Sequence, residues 1–393
     1  MIRQSYPLLL VIAAFFACQG TETEDASEPI NLELEVTDSV RIHYVGVLSF
    51  MDIQPDMDRA LFFDLQKRSF VSTDLQGNIL GQFSKDRDSP DGFGSFPMAA
   101  GRFLDQNRIQ LVSMYGVFEY DLEGNLLRSA KTPKDEIKGF SGRMDAIREI
   151  KQVGDQLLLT GLLPRTEYNK TQPEFYDTFQ QLVWVDPQSG SMEQFLGLDS
   201  ASIFQNNRSH EPTTLSATFD IRDNELFVIS GGDPYLNVYE LEEPYKKLKR
   251  MPLELTDFQV NPGEDPQKAD PRAISFDPSY GMISKLTIVG DYLLINYTTG
   301  YDDLDREEYQ SIQSQEQWQV FNTRVGEKYK PRLQVLSLEG EKLLDIETPD
   351  RLGNVFVSRD GNLWFNVLPN PDVEEDFFQI NKVEIKKAGI NRL

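Results

Sequence analysis

A repeated β-hairpin is the sequence feature that most constrains the fold of this chain. The clearest copy is Tyr115–Leu127 (YGVFEYDLEGNLL), an alternating strand, a tight turn and a returning strand. Similar hairpins occur at Ser69–Leu80, Gln181–Phe195, Tyr235–Leu248 and Arg332–Ile346. Turns of Asp, Asn and Gly between runs of alternating hydrophobicity are typical of antiparallel hairpins.

A second unit, a turn followed by an alternating strand, precedes each hairpin. Its turn residues are spaced by 49, 48, 69, 67 and 71 positions: Asp58, Asn107, Asp155, Asn224, Asp291 and Asn362. A base unit of about 48 residues, with insertions of about 20, fits one four-stranded propeller blade. We therefore predict an all-β protein, a six-bladed β-propeller with four-stranded antiparallel blades. Two stacked β-sandwiches are the alternative, but they do not predict the sixfold repeat.

The two ends of the repeat array predict how the ring closes. The sixth unit has a third strand near Phe377–Ile385, and no further strand follows it. An unused alternating strand, Asn31–Thr37, lies ahead of the first blade. We expect this N-terminal strand to complete blade six, because an unpaired sheet edge would otherwise remain open.

The turn lengths predict two different faces. The turns after the first and third strands of each blade are short, whereas the other connections carry the insertions. These are Ser84–Ala99, Thr132–Ala146, Thr166–Phe179, Gly197–Ser216, Leu255–Met282 and Thr298–Pro331. One face should therefore be flat and the other rich in loops, and binding sites commonly lie on loops held by a rigid scaffold.

The N-terminal segment predicts the cellular compartment. Met1–Ala17 has Arg3 and then the apolar run Leu8–Phe16, which is typical of a signal peptide. It ends in Phe15-Phe16-Ala17-Cys18, which resembles a bacterial lipobox, and Cys18 is the single cysteine. We expect a diacylated Cys18, an acidic tether at 18–29 and a propeller at 30–393. The protein would then be anchored by lipid in the cell envelope, in a membrane that we expect to be the outer one.

The charge of the chain limits its partners. The formal net charge is −24, with 39 Lys and Arg against 63 Asp and Glu. Nucleic acids and anionic lipid surfaces need clustered cations, so this balance argues against a nucleic-acid partner. We expect a glycan, a peptide or another envelope protein instead.

Few residues indicate chemistry. No zinc, nucleotide or nucleophile-elbow motif is present, so we assign no catalytic residue, no metal ligand and no resident cofactor. His43 lies in an alternating strand, whereas His210 lies in a predicted loop and is a candidate acid, base or ligand contact. Aromatic and basic side chains in the same loops suit a ligand, and the candidates are Arg143, Tyr168, His210, Arg272, Tyr280, Tyr301 and Trp318.

Three further segments have structural interpretations. Arg306–Gln319 is predicted to be the one long helix, and the acids of 302–308 lack the register of a calcium loop, so they indicate a helix start. Trp184 and Trp364 lie in alternating strands and should be core residues.

The lipobox-like signal, the acidic tether and the six units together resemble the TolB-like six-bladed β-propeller lipoproteins of Bacteroidetes. The resemblance implies a propeller at the envelope and no particular catalytic residue. Our leading hypothesis is a binding module that uses its loop-rich face without catalysis. The alternative is a hydrolase or lactonase that holds Ca²⁺ at the mouth of the central channel.

The lipid anchor gives a direct prediction. The Cys18→Ser variant lacks the thiol that accepts diacylglycerol, so it should leave the membrane fraction as a folded, soluble domain. Fractionation of cells with circular dichroism of the released protein checks both points. Membrane association that persists in this variant would contradict the lipoprotein interpretation.

Overall fold

The computed structural model describes residues 32–85, 89–94, 101–134, 150–161, 167–273, 275–349, 351–370, 373 and 375–387. These residues form six separate four-stranded antiparallel sheets. Neighbouring sheets pack against one another, mostly through their first strands, and the first and last sheets are also in contact, so the sheets form a closed ring. The protein is a six-bladed β-propeller, as the repeat spacing predicts.

Strand β1 (Leu32–Ile42) belongs to the last blade, and the other strands follow in chain order. Blades one to three comprise β2 (Leu48–Gln54), β3 (Arg59–Asp64), β4 (Ser69–Thr73) and β5 (Ile79–Ser84); β6 (Arg102–Asp105), β7 (Arg108–Ser113), β8 (Gly116–Asp121) and β9 (Leu126–Lys131); and β10 (Lys151–Val153), β11 (Gln156–Thr160), β12 (Gln180–Val185) and β13 (Met192–Gly197).

Blades four and five likewise take four consecutive strands each, and blade six takes three. They comprise β14 (Ala217–Arg222), β15 (Glu225–Ser230), β16 (Tyr235–Glu240) and β17 (Lys247–Pro252); β18 (Tyr280–Val289), β19 (Tyr292–Gly300), β20 (Arg332–Ser337) and β21 (Lys342–Glu347); and β22 (Leu352–Val357), β23 (Leu363–Val367) and β24 (Phe378–Lys387).

Strand β1 completes blade six, which confirms the predicted closure. It pairs antiparallel with β24 from Leu32 opposite Lys387 to Ile42 opposite Phe378, with a bulge near Val36. Leu32, Val40 and Ile42 are buried, and they join the clusters that pack blade six against both of its neighbours. The pairing therefore covers the free edge of β24 and places the first strand inside the ring's core.

The repeated hairpins have a common local cause. In the turn between β4 and β5, the Asp74 side chain accepts hydrogen bonds from the backbone N–H and the side-chain amide of Asn78, both at 2.7 Å. Asp121 does the same for Asn125 in the turn between β8 and β9. A glycine with positive φ, Gly77 or Gly124, completes each turn.

The hydrophobic core is divided among the six interfaces between blades. Each pair of neighbouring blades shares one cluster of buried apolar side chains. A third strand such as β8 is buried on both sides because blades pack against each of its faces, whereas the outer strand β9 is half exposed. Burial of this kind provides most of the favourable free energy of folding.

Buried carboxylates join blades near the ring's axis. Asp52 of blade one accepts the backbone N–H of Phe103 in blade two at 2.7 Å and the Arg359 guanidinium of blade six at 2.6 Å. Asp220 of blade four accepts Lys151 of blade three at 2.8 Å and the backbone N–H of Ile288 in blade five at 2.8 Å. Each carboxylate thus joins three blades.

The connections divide the molecule into two faces. The turns after the first and third strands of each blade are short. They lie on one side of the ring, which we call the tight-turn face. The connections after the second and fourth strands lie on the opposite side, the loop face, and contain all the long segments. Because β24 runs from the loop face to the tight-turn face, Leu32 at the start of β1 lies at the tight-turn face.

The prediction of one long helix at Arg306–Gln319 is wrong in its bounds. Two helices occur between β19 and β20, α2 (Asp303–Ser311) and α3 (Gln315–Lys328), after a short helix α1 (Pro173–Asp177) in blade three. Ile312 is extended, and Ser314 with Gln317 forms a capping box that starts α3. No helix in the described part of the chain is long and apolar enough to cross a membrane.

Substitution within β1 tests its contribution to closure. Ile42→Ala should lower the free energy of unfolding by about 2–5 kcal/mol, because it leaves a cavity between blades six and one. Val36→Ala in the same strand, where the side chain is exposed, should change it by less than about 0.5 kcal/mol. Urea unfolding measures both values. Equal and small effects would contradict the assigned role of β1.

Candidate binding face

Four long connections of the described residues lie on the loop face. They are the β11–β12 connection, the crossings from blade three to blade four and from blade four to blade five, and the β19–β20 connection with α2 and α3. The predicted residue Arg143 lies outside the described residues, as does Cys18. The remaining predicted site residues lie on these four segments or at their ends.

His210 is an interior residue of the loop face. Its side chain is 1% exposed, and its ring meets those of Phe204 and Tyr176 edge to face. Its Nε2 lies 3.1 Å from Oδ1 of Asn206, and its backbone N–H donates to the Tyr176 hydroxyl at 2.7 Å. Burial, with the nearby Arg208, lowers the pKa of His210 to about 4. The imidazole is therefore neutral at pH 7 and holds the blade-three and blade-four loops together.

A buried ion pair lies beside His210. Lys170 is 5% exposed, forms an ion pair with Glu211 and donates to the carbonyl oxygen of Ala273 at 2.7 Å. The other carboxylate oxygen of Glu211 accepts the backbone N–H of Ser275 at 3.2 Å. Three connections meet at this pair, so loss of either charge would leave the other without its counter-ion. Arg272, a predicted ligand contact, is exposed at the edge of this region.

The hairpin of α2 and α3 is organised around a second buried carboxylate. Asp305 accepts hydrogen bonds from Arg324 at 2.6 Å, Lys328 at 2.6 Å and the Tyr329 hydroxyl at 2.5 Å. Burial alone would raise the pKa of Asp305, but the hydrogen bonds from Lys328, Tyr329 and Arg324 outweigh it and hold the pKa well below its usual range. The ionised carboxylate fixes α3 against α2.

An aromatic cluster packs the helical hairpin onto blade five. Tyr301 stacks at an angle on Tyr329 and meets Tyr309 and Phe321 edge to face, with ring centroids 5.1 to 5.9 Å apart. Trp318 packs beside Tyr309 and Phe321 and is 38% exposed. Most of this aromatic surface is therefore used inside the face.

Arg306 connects the hairpin to the neighbouring crossing. Its guanidinium lies 5.0 Å from the ring centroid of Tyr280 and donates to the Tyr301 carbonyl at 2.8 Å and to Gln259 at 3.1 Å. A cation over an aromatic face in this geometry stabilises the contact. The hairpin and the blade-five crossing therefore form one continuous surface.

The structure brings the predicted site residues together in two groups. Tyr280, Tyr301 and Trp318 surround the helical hairpin, whereas Tyr168 and His210 lie around α1, with Arg272 near the second group. Most of these side chains pack the loops against one another, so their contacts do not indicate a single ligand pocket. Their role in ligand binding stays a prediction.

The residues that reach solvent on the loop face are mainly others, which the sequence analysis missed. Among the described residues, fifteen large hydrophobic side chains are exposed; five lie on the outermost strands and ten on the loop face. The ten are Val45, Val47, Tyr115, Val260, Phe276, Leu304, Trp318, Val320, Leu368 and Val373. Leu304 and Val320, 77% and 69% exposed, lie on the helical hairpin itself. Seven of the ten lie in irregular loops, where no sequence periodicity marks them, and Leu304, Trp318 and Val320 lie on α2 and α3.

The calcium-dependent alternative requires carboxylates or amides from several blades to converge on the axis. Within the described ranges, no three His, Cys, Asp or Glu side chains are grouped so that they could hold a metal ion. Asp52 and Asp220 are bonded to cations and backbone N–H groups of neighbouring blades. The calcium-dependent hydrolase stays a prediction beside the binding module.

Comparison with known proteins supports the fold. No protein-family model matches the chain, and no curated protein matches it. A solved structure of a member of the DUF4221 family from Bacteroides vulgatus is 13% identical with a TM-score of 0.64, covering 92% of this chain and all of that one.

Two further solved structures are more distant. A protein from Bacteroides fragilis that is predicted to be exported is 13% identical, with a TM-score of 0.47 over 93% of this chain and 98% of its own. The calcium-binding protein regucalcin from Agrobacterium tumefaciens is 11% identical, with a TM-score of 0.42 over 90% and 97%. At these identities the likeness concerns the fold alone.

The buried histidine predicts a pH dependence of stability. Below pH 6.5 the unfolded chain binds a proton that folded His210 takes up only near pH 4, so stability should fall as pH drops through this window. The loss amounts to about 3 kcal/mol. His210→Gln should flatten this part of the curve in urea unfolding at several pH values.

The second histidine provides the control. His43 follows β1 and is exposed, so it lies just outside the strand in which the sequence placed it. His43→Gln should leave the pH dependence as it is in the unmodified protein. An unchanged curve in His210→Gln would show that His210 is not buried in its neutral form.

Proposed function

We propose that this propeller is an envelope lipoprotein whose loop face binds another protein. The observation that carries the proposal is the distribution of exposed apolar side chains, ten of fifteen of which lie on the loop face in the described part of the chain. Exposed apolar side chains gathered on one face of a protein are a common feature of protein interfaces.

The kind of exposed side chain favours a protein over a glycan. Valine and leucine side chains at the hairpin, such as Val320 and Leu304, offer no hydrogen bonds to sugar hydroxyls and no flat aromatic surface. Trp318 lies on the same helix as Val320 and is 38% exposed, so it offers an aromatic surface on the same hairpin. Apolar contacts with an aromatic residue near the centre are typical of protein–protein interfaces.

The internal contacts of the loop face favour binding without large rearrangement. The Lys170–Glu211 pair and the Arg306–Tyr280 contact each fix one long segment against another, and the Asp305 network fixes α3 against α2 within one segment. A surface that is already ordered loses less conformational entropy when a partner binds. The long connections therefore form a surface that is ordered before a partner binds.

The lipid anchor is the second part of the proposal. Leu32, where β1 begins, lies at the tight-turn face, and Cys18 would carry the lipid. The lipobox-like residues and the acidic tether, which resemble those of TolB-like envelope lipoproteins, support this part of the proposal.

Site-specific photo-cross-linking in intact cells tests the proposal. A photoreactive amino acid at Val320 should give one discrete protein adduct, because that position would lie in the interface. The same amino acid at Leu127, 51% exposed on outer strand β9, is the matched control and should give none. Leu304→Asp should reduce the Val320 adduct.

Two outcomes would count against the proposed partner. The same set of adducts from Val320 and Leu127 would indicate random collisions, and no adduct from any loop-face position would leave the face without a protein partner. Mass spectrometry of the adduct identifies the partner, and purified propeller added in excess should compete with it.

A further inference from the structure

A groove on the flank of the propeller is separate from the loop face. It lies between blades three and four, beside outer strand β13 and the tight turn between β16 and β17, and has a volume of about 520 Å³. Its walls include three aromatic rings, those of Trp184, Phe195 and Tyr245. This volume is within the range of small-molecule sites.

The three rings pack against one another. Trp184 and Phe195 are parallel with centroids 5.4 Å apart, and Phe195 and Tyr245 lie 4.4 Å apart. The Trp184 indole N–H donates to the Tyr245 hydroxyl at 2.9 Å. Trp184 is half-buried and lines the groove, so the expectation of a core residue is wrong for it, whereas Trp364 is buried as expected.

Two residues of the groove have an unfavourable backbone. Tyr245 has φ of 55° and Leu196 has φ of 65°, in the left-handed region that bulky residues rarely adopt. Glycine or asparagine would be the unstrained choice in such turns. Strained positions of this kind cluster at binding sites, where the surrounding contacts hold them in place.

The groove is negatively charged. Glu193 and Glu243 line it and are exposed, and neither makes an ion pair within the described ranges. Its lining there contains glutamines, among them Gln156 and Gln180, and no lysine or arginine. Carboxylates and amides thus lie beside the rings in the lining.

We propose that this groove binds an organic ammonium group. A cation near the faces of Trp184 and Tyr245 is attracted by the ring electrons, and the two carboxylates add a favourable field. The ammonium could belong to a lysine side chain, an amino sugar or a quaternary ammonium headgroup. All three share the charge and the apolar surface that the groove recognises.

Fluorine NMR of the full chain in detergent, labelled with 5-fluorotryptophan, tests the site. The chain has three tryptophans, so Trp184→Phe assigns the signal. Choline, Nα-acetyl-lysine amide and glucosamine are the probes, and glucose is the neutral counterpart of the last. The ammonium probes should shift the Trp184 signal and leave that of buried Trp364 in place, and the tightest of them identifies the source.

Charge-neutralised variants separate a site from a general field. The double variant Glu193→Gln with Glu243→Gln should weaken ammonium binding by about tenfold or more. Glu123→Gln with Glu341→Gln changes the net charge equally at exposed turns of other blades and should not. An equal shift by glucose, equal losses in both double variants, or no shift with any ammonium probe would overturn the proposal. None of these results bears on the loop-face partner.

Discussion

The pairing of β1 with β24 is the interaction on which the rest of the structure depends. It closes six consecutive sheets into a ring, so each blade packs against two neighbours. It also covers the edge of β24, the third strand of blade six. Six clusters of buried side chains then lie between neighbouring blades, and Asp52 and Asp220 join them near the axis. A ring of this kind resists local opening because each blade is held by two neighbours.

Closure also determines what the two faces can do. Every chain reversal on the tight-turn face joins adjacent strands, so it can be short, whereas the loop face receives all crossings between blades and can accept insertions. Lys170 is buried with partners from two other segments, and Asp305 is buried between α2 and α3. Both convert these insertions into an ordered surface. The exposed valines, leucines and aromatics on that surface are therefore held in place and available to a partner. The flank groove, in contrast, lies beside outer strand β13 and the tight turn between β16 and β17.

Much of the fold could be predicted from local sequence, and little of the candidate site could. The Asp-Leu-x-Gly-Asn turns and their alternating strands are local signals, so blade number, strand order and the closing strand follow from them. His210 and Lys170 owe their burial to segments 34 to 103 residues away, which no local pattern reveals. The α2–α3 boundary depended on the side chain of Ser314, and the position of Trp184 depended on Tyr245. Tertiary contacts of this kind override strand periodicity.

The central claim, that a closed ring presents its loop face to a protein partner, is tested most directly by hydrogen–deuterium exchange. Backbone amides would be compared between the propeller alone and its complex isolated from the envelope. The account predicts added protection in segments 253–279 and 303–328 and none in the turns at 122–125 and 338–341. Added protection confined to those turns, with the loop face unchanged, would contradict it.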